Sequence, residues 1–217
     1  MNETNKTVLF VFVALVAVVV AWAARPRTPG FDEPLDVVNQ PLFPEFNQKI
    51  QQDPLVATSL ELVQFDEPSG KGKAFKVAQV KTDKGLGRWS IPSHEDYPAD
   101  AKDHLAEAAA ALTDLTVLNV ASESRGDFEL YGVQDPAAKD LKPGASGVGM
   151  RVTLRDKDDR VLLDLIVGKE LPDRKGLRYV RKAGQDPIYE VRLNTEKLSS
   201  NFGDWIEKDL LKLSTFD

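Results

Sequence analysis

The chain has 217 residues, a formal net charge of −6, two histidines and no cysteine. Its hydrophobic fraction of 42% and charged fraction of 29% are those of a folded globular protein. The acidic balance argues against a general nucleic-acid binder, and the lack of cysteine excludes disulfides, thiol nucleophiles and cysteine-ligated metal centres.

Residues 7–24 form an uncharged apolar run. A helix of this length measures about 27 Å, close to the roughly 30 Å hydrocarbon core of a bilayer. We therefore predict a short tail and a single transmembrane anchor over residues 1–24. A cleaved signal peptide is the open alternative, because Ala21, Trp22 and Ala23 form an A-x-A cleavage site.

Positive charges flank this run on both sides, with Lys6 before it and Arg25 and Arg27 after it. The positive-inside count is nearly balanced and leans slightly against export of the C-terminal part. The tail before the run is very short, however, and the bulk of the chain follows a single span. We therefore expect a cytoplasmic N-terminus and an extracytoplasmic C-terminal domain.

Residues 25–57 are rich in proline, which favours an extended chain. We predict a stalk or linker over this range. Two alternatives remain for Leu42, Phe43 and Phe46 within it. These side chains either pack back on the domain or lie in a short helix over 44–52.

From residue 58 onward the pattern becomes rich in strands. Residues 58–65 alternate between apolar and polar side chains, residues 74–82 continue as a second strand, and residues 86–91 return as a third. Gly70 and Gly72 lie in the first turn, and Gly85 lies in the second.

The clearest predicted helix follows Pro98, with Asp100 as its N-cap. Its apolar stripe recurs at helical spacing and consists of Leu105, Ala108, Leu112 and Leu115. The next segment, 116–122, is extended or a strand.

A second series of strands follows. The pattern predicts a short strand over 128–133, a glycine-rich loop over 144–149, and hairpins that pair 150–155 with 160–167 and 178–183 with 188–193. A final helical region is predicted over 195–213, interrupted at Gly203.

These elements predict an α+β fold in which antiparallel hairpins pack with two main helical regions, after one N-terminal transmembrane helix. The predicted domain spans 58–217, with two β-plus-helix halves, 58–122 and 123–217, as a further subdivision.

Several motifs resemble binding sites but lack the required context. The glycine-rich run 144–149 precedes a strand instead of joining a strand to a helix, so it is not a dinucleotide loop. Residues 70–73 lack the Ser/Thr and the helix of a phosphate loop. Asp156 and Asp158 begin like a calcium loop, but Val167 stands where the bidentate Glu belongs.

Polar side chains also gather in two other places. Ser93, His94, Glu95 and Asp96 are adjacent in a predicted turn, whereas catalytic relays are assembled from separate elements. His104 and Glu107 lie three residues apart on the helix and do not hold a metal without further ligands.

Six aromatic residues with polar tips are candidates for a glycan groove, although their wide spacing favours ordinary packing: Trp89, Tyr97, Tyr131, Tyr179, Tyr189 and Trp205. The sequence therefore predicts no catalytic, cofactor-binding or metal-binding residue, and we expect a non-enzymatic protein without a cofactor.

An ordered series of motifs runs through the second part of the chain. The motifs are R-W-S-I-P at 88–92, Y-P-A-D-A at 97–101, Y-G-V-Q-D-P at 131–136, V-T-L-R-D with L-L-D-L-I-V-G-K within 152–169, R-Y-V-R with I-Y-E-V within 178–191, and F-G-D-W-I-E-K-D-L-L at 202–211. This series resembles a bacterial family, the domain-of-unknown-function family 4340.

The resemblance implies a single-span protein of the bacterial cytoplasmic membrane whose domain lies outside that membrane. Relatives are often encoded near ABC-transporter components of the gliding-motility type, which implies an accessory or scaffold role with an envelope protein as partner. No catalytic residues are established for the family. The alternative is an envelope glycan-binding protein or a hydrolase that uses carboxylates.

Overall fold

The computed structural model describes residues 37–82 and 85–206. Within these ranges no helix is both long and apolar enough to cross a bilayer. The predicted membrane segment, 7–24, and the last part of the predicted C-terminal helix lie outside the described residues.

Nine strands of the described chain form one sheet in which every neighbouring pair is antiparallel. Their spatial order is β4-β3-β2-β1-β6-β7-β8-β9-β5. The strands are β1 (Ser59–Asp66), β2 (Lys71–Thr82), β3 (Gly85–Ile91), β4 (Tyr97–Pro98), β5 (Val117–Ser122), β6 (Met150–Arg155), β7 (Val161–Glu170), β8 (Leu177–Lys182) and β9 (Ile188–Arg192).

The sheet joins the two predicted halves of the domain. β1 pairs with β6, so that Leu62 lies opposite Val152 across the middle of the sheet. β5, which follows the first hairpins in the chain, lies at the far edge against β9. The α+β class and the hairpins predicted from the sequence are confirmed, and the halves 58–122 and 123–217 share this one sheet.

Two helices cover one face of the sheet, which we call the helix face. Helix α1 (Pro44–Gln52) begins with a proline, whose missing N–H costs nothing at that position. Helix α2 (Lys102–Ala111) contributes Leu105 and Ala108 to the core, as its stripe predicts. Leu112 and Leu115 are also buried, just beyond its C-terminus.

The predicted N-cap of α2 is wrong. The cap position is Ala101, which makes no side-chain cap hydrogen bond. The backbone N–H of Asp100 instead donates to the carbonyl of Trp205, at 3.0 Å. This tertiary contact fixes the chain just before α2, whose first turn has no side-chain cap.

The two alternatives for the apolar residues of the predicted linker are both found: the residues pack on the domain, and a short helix is present. Phe46 lies in α1, which has the predicted bounds, and is buried with Leu42 in the main core, against which Phe43 packs. Hydrogen bonds from Asn39 to Val117 and from Leu42 to Leu115 attach this segment to the rest of the domain.

The predicted strand over 128–133 is wrong. Residues Phe128–Tyr131 form a single helical turn, α3, which ends at Gly132 with a φ of 73°. The helical spacing turns Phe128 and Tyr131 toward the same small apolar cluster. This cluster lies on the second face of the sheet, which we call the loop face, and its buried members are Val133, Ile166 and Ile188.

The predicted C-terminal helix is also wrong over its described part. Residues 194–206, which we call the C-terminal strap, contain only a short 3-10 turn, Phe202–Asp204. Asn194 and Asn201 accept hydrogen bonds from backbone N–H groups two residues further on. Such local side-chain bonds compete with the helical ladder and favour turns.

Candidate functional site

An ion-pair network lies on the loop face of the sheet. Arg151 on β6 makes two hydrogen bonds to Asp164 on β7, at 2.9 and 2.7 Å, and one to Asp135, at 3.0 Å. Thr153 donates to the same Asp164 carboxylate at 3.1 Å. The bond to Asp164 raises the pKa of Arg151. The pairs tie the segment after α3 to the sheet.

This network predicts a large stability difference between two Asp→Ala variants. We expect Asp164→Ala to cost about 2 kcal/mol of the free energy of unfolding, because Arg151 and Thr153 lose their shared acceptor. Asp158→Ala is the control, since Asp158 pairs with Lys157 and Arg160 on an exposed hairpin and should lose little. Urea unfolding followed by circular dichroism measures the free energy of unfolding of both variants. Equal losses of this free energy would contradict the structural role of Asp164.

A second arginine, Arg181, fixes the end of α3. Its side chain is buried, at 5% exposure, and donates twice to the carbonyl of Val133 and once to that of Gln185. The guanidinium carbon lies 4.0 Å from the ring centre of Phe128. Burial lowers the pKa of Arg181. The arginine thus organises a backbone segment and leaves few donors for a ligand.

Three neighbouring cavities lie along the ends of β1, β6 and β7, and we call them together the strand-end groove. The cavities have volumes of about 300, 440 and 200 Å³. The first two share residues 147–150, and the last two share Gln64 and Phe65. The C-terminal strap reaches the first cavity at Thr195 and the third at Ser200.

The glycine-rich segment predicted as a loop forms one wall of this groove. A Cβ at Gly147 would lie 2.1 Å from the carbonyl oxygen of Glu129, and one at Gly149 would lie 2.8 Å from the carbonyl oxygen of Gly132. Between them, Val148 forms an isolated parallel bridge with Gln134. Main chain therefore packs directly on main chain, and the wall presents backbone groups to the groove.

Both histidines lie in an aromatic cluster near the end of the strap. The ring of His104 lies 4.3 Å from that of Trp205, and the ring of His94 stacks on Phe202 at 4.9 Å. Tyr97 contacts Phe202 edge-on. The Nε2 atom of His104 is buried without a hydrogen-bond partner within the described chain. Ring packing accounts for the positions of both histidines.

The polar turn at 93–96 does not assemble a relay. Ser93 Oγ lies 3.1 Å from His94 Nδ1 and also accepts a hydrogen bond from the backbone of Lys76. Glu95 and Asp96 are exposed and have positive φ angles of 55° and 56°. The sequence-based interpretation of this segment as a surface turn agrees with this geometry.

His104 and Glu107 have different partners, although they share a helix. His104 packs on Trp205, whereas Glu107 forms an ion pair of 2.7 Å with Lys197 of the strap. The hydrogen bond from Lys197 lowers the pKa of Glu107. Groups of three or more metal-binding side chains are absent from residues 37–82 and 85–206.

The Glu107–Lys197 pair predicts a pH-dependent contribution to stability. The ion pair lowers the pKa of Glu107 from its ordinary value of 4.5 and raises that of Lys197 from its ordinary value of 10.5. The pair therefore makes its full contribution to the free energy of unfolding at pH values between 4.5 and 10.5. It disappears as the pH falls through the lowered carboxyl pKa or rises through the raised amine pKa. We expect the unfolding midpoints of the native chain and Glu107→Gln to differ slightly at pH 7 and to converge at acidic pH; a gap that widens in acid would contradict this.

The remaining sequence motifs have structural roles. Residues 70–73 form the turn and the first residues of β2. Asp156 and Asp158 pair with Arg160 within the hairpin that joins β6 to β7.

The six aromatic candidates for a glycan groove do not meet in one place. Tyr131 and Tyr179 contact each other on the loop face, with ring centres 4.6 Å apart. Trp89, Tyr189 and Trp205 belong to the main core on the other face or pack against it. Tyr97 lies at its margin, against Phe202.

The sequence-based reasoning missed the residues that line the groove and those of the ion-pair network. The available signal for the network was a charge inside an otherwise apolar strand, as at Asp164 between Leu163 and Leu165. Lys169, Arg178 and Val148 gave no local signal, because they come together only through the pairing of strands.

Comparison with known proteins identifies a family for this chain. A search of the curated proteins and a search of the solved structures each returned no match. The family model described as "Domain of unknown function (DUF4340)" matches residues 89–217, which include the ion-pair network, the glycine-rich wall and the C-terminal strap. Since this match covers more than half of the chain, the protein belongs to the DUF4340 family.

Proposed function

We propose that this protein is a membrane-anchored accessory domain that binds a protein partner outside the cytoplasmic membrane. The uncharged run 7–24 supports the anchor, because its length suits one bilayer span. A single span with a cytoplasmic N-terminus supports an extracytoplasmic position for the domain. The family resemblance supports a partner within an ABC-type transport or gliding-type envelope complex.

The strand-end groove is the observation that carries the binding role. It is a surface groove, lined by glycine backbone and by a mixture of apolar, polar and charged side chains. Deep apolar pockets with converging polar groups are typical of small-molecule sites. A long surface groove with available backbone groups is suited instead to an extended chain segment.

The alternative, a glycan-binding protein or a carboxylate hydrolase, has weaker support. In the ion-pair network the fold brings Asp135 and Asp164 together, and Arg151 binds both. A general acid requires a raised carboxyl pKa. In contrast, hydrogen bonds from Ser69, Lys197 and Arg160 lower the pKa values of the carboxyl groups of Asp66, Glu107 and Asp158, respectively.

Affinity capture tests this function. The full-length tagged chain is extracted from membranes in mild detergent, and bait and prey are identified by mass spectrometry. We expect an intact bait N-terminus and one envelope complex enriched over an unrelated single-span control. A bait that begins near Ala24 without an enriched partner would refute the anchored accessory role.

Protease digestion of intact and permeabilised cells tests the orientation. We expect protease added outside the cytoplasmic membrane to digest the domain while a cytoplasmic marker stays intact. Digestion of the domain only after this membrane is permeabilised would place the domain inside and contradict the proposal.

A further inference from the structure

The first cavity of the strand-end groove, of about 300 Å³, has an unusual charge for this protein. Lys169 and Arg178 are among its lining residues, and no Asp or Glu is. The other two cavities include Glu67 and Asp66, respectively. In a chain with a net charge of −6, this cavity is a cationic site within an acidic protein.

Within the described residues, no carboxylate forms an ion pair with Arg178. The residue opposite it in the ladder between β7 and β8 is Glu170, whose carboxylate instead accepts a hydrogen bond from the backbone N–H of Gly176, at 2.6 Å. Arg178 Nη1 donates to the carbonyl of Gly168, at 3.2 Å. Ion pairs of Arg178 are absent from the described part of the chain, and the rest of its donor fork is available.

Two other donors lie in the same cavity wall. Lys169 Nζ binds the carbonyls of Leu130 and Glu129, at 2.9 and 3.3 Å, and makes no ion pair within the described residues. Thr195 also lines the cavity, and its hydroxyl has no hydrogen-bond partner within the described residues. The wall is completed by apolar Met150 and Val167. Cations beside aliphatic groups suit an anion that is carried on an apolar chain.

Val148 lines both this cavity and the second one, and its main chain carries a hydrogen-bond donor and an acceptor. Its neighbours bond to Gln134 through the Gly147 carbonyl and the Gly149 N–H. In an extended chain, the N–H and C=O of Val148 point to the opposite side. Neither group has a hydrogen-bond partner in the described chain. A donor and an acceptor together match a peptide bond, which offers one C=O and one N–H.

We propose that this cavity binds an acidic side chain of an extended segment of the partner protein. Arg178, Lys169 and Thr195 hold the carboxylate, and the main chain of Val148 pairs with the adjacent peptide bond. Arginine is suited to this role because its planar fork matches a carboxylate. The inference rests on the proposed function and identifies the chemistry of the partner that the groove takes.

Fluorescence anisotropy with the full-length protein tests the charge recognition. The probe is a labelled, blocked peptide of sequence Ala-Val-Glu-Val-Ala, and its comparison is the same peptide with Gln in place of Glu. We expect the Glu peptide to bind at least about tenfold more tightly, and Arg178→Gln to remove that difference. Arg192→Gln is the matched control, because Arg192 is exposed on the neighbouring β9; it should change affinity less than about twofold.

Two further probes separate a peptide from a simple anion. N-methylation of the residues beside Glu should weaken binding, because it removes the peptide donors that face Val148. Acetate and inorganic phosphate at the same concentration should compete poorly. Equal binding of the Glu and Gln peptides, no binding of the Glu peptide, or displacement by phosphate alone would each overturn the proposal.

The capture experiment distinguishes the two proposals. If Arg178→Gln captures the partner as well as the native chain does, the cavity assignment is wrong and the accessory role stands. If the native chain captures no partner, the accessory role is wrong, whatever the peptide measurements give. Circular dichroism of both arginine variants confirms that a loss of binding is not a loss of fold.

Discussion

Replacement of Trp205 by alanine is expected to lower the free energy of unfolding by about 3–5 kcal/mol, the usual cost of deleting a buried tryptophan. Trp205 has an exposed fraction of 0% and contacts the rings of Phe75 and His104. Its indole N–H donates to the carbonyl of Ser199, at 2.8 Å. The residue therefore attaches the C-terminal strap to both the sheet and α2.

Urea unfolding of the full-length chain, followed by circular dichroism in mild detergent, measures this loss. Leu130→Ala is the control, because Leu130 is 65% exposed and its loss should stay within about 0.5 kcal/mol. Trp205→Phe should fall between the two, since it keeps most of the apolar volume and loses the indole N–H. A loss for Trp205→Ala no larger than that for Leu130→Ala would show that the strap does not support the fold.

The second large effect is expected at Gly147, with Gly144 as its matched control. Both glycines have positive φ angles, of 67° and 76°, so an alanine at either should lose about 1–2 kcal/mol from backbone strain. Only at Gly147 does a Cβ collide with the chain, 2.1 Å from the Glu129 carbonyl oxygen; at Gly144 nothing lies within 4 Å. We expect Gly147→Ala to lose about 2 kcal/mol more than Gly144→Ala.

The same unfolding measurement compares these two variants. Because both positions have a positive φ, the backbone strain is similar in the two variants. The difference between their free energies of unfolding therefore reports the close approach of residue 147 to α3. Equal losses would mean that this wall of the strand-end groove is loosely packed. A larger loss at Gly147 would support a rigid wall, which is the condition for the backbone of Val148 to stay aligned with a partner.

The strands and the stripe of α2 could be predicted from the sequence because their signals are local. Alternation in 58–65 and the hairpin pairs within 150–193 correspond to β1 and to β6–β9. The periodicity through Leu105 and Ala108 correctly indicated the buried side of α2. Each signal depends on residues that lie close together in the chain, where side-chain period and turn chemistry are sufficient.

The errors lie where tertiary contacts override local preference. Phe128–Tyr131 has the apolar and aromatic composition of a strand, yet it is a helical turn, because Arg181 and Gly132 organise its end. The strap has the apolar residues of a helix, yet Trp205 enters the core from a short turn. In the first segment Arg181 adds a long-range contact to the local effect of Gly132. In the strap, the burial of Trp205 adds one to the local hydrogen bonds of Asn194 and Asn201.

The sequence by itself determined the α+β class, the family, most strand positions and the buried side of α2, since these follow from composition, motif order and side-chain period. Only the tertiary structure decided that β5 lies at the far edge beside β9, that Arg151 binds Asp164 and Asp135, and that Lys169, Arg178 and Val148 line one cavity. The reason is physical: strand order and strand pairing bring together residues far apart in the chain, and no local pattern encodes which residues will meet.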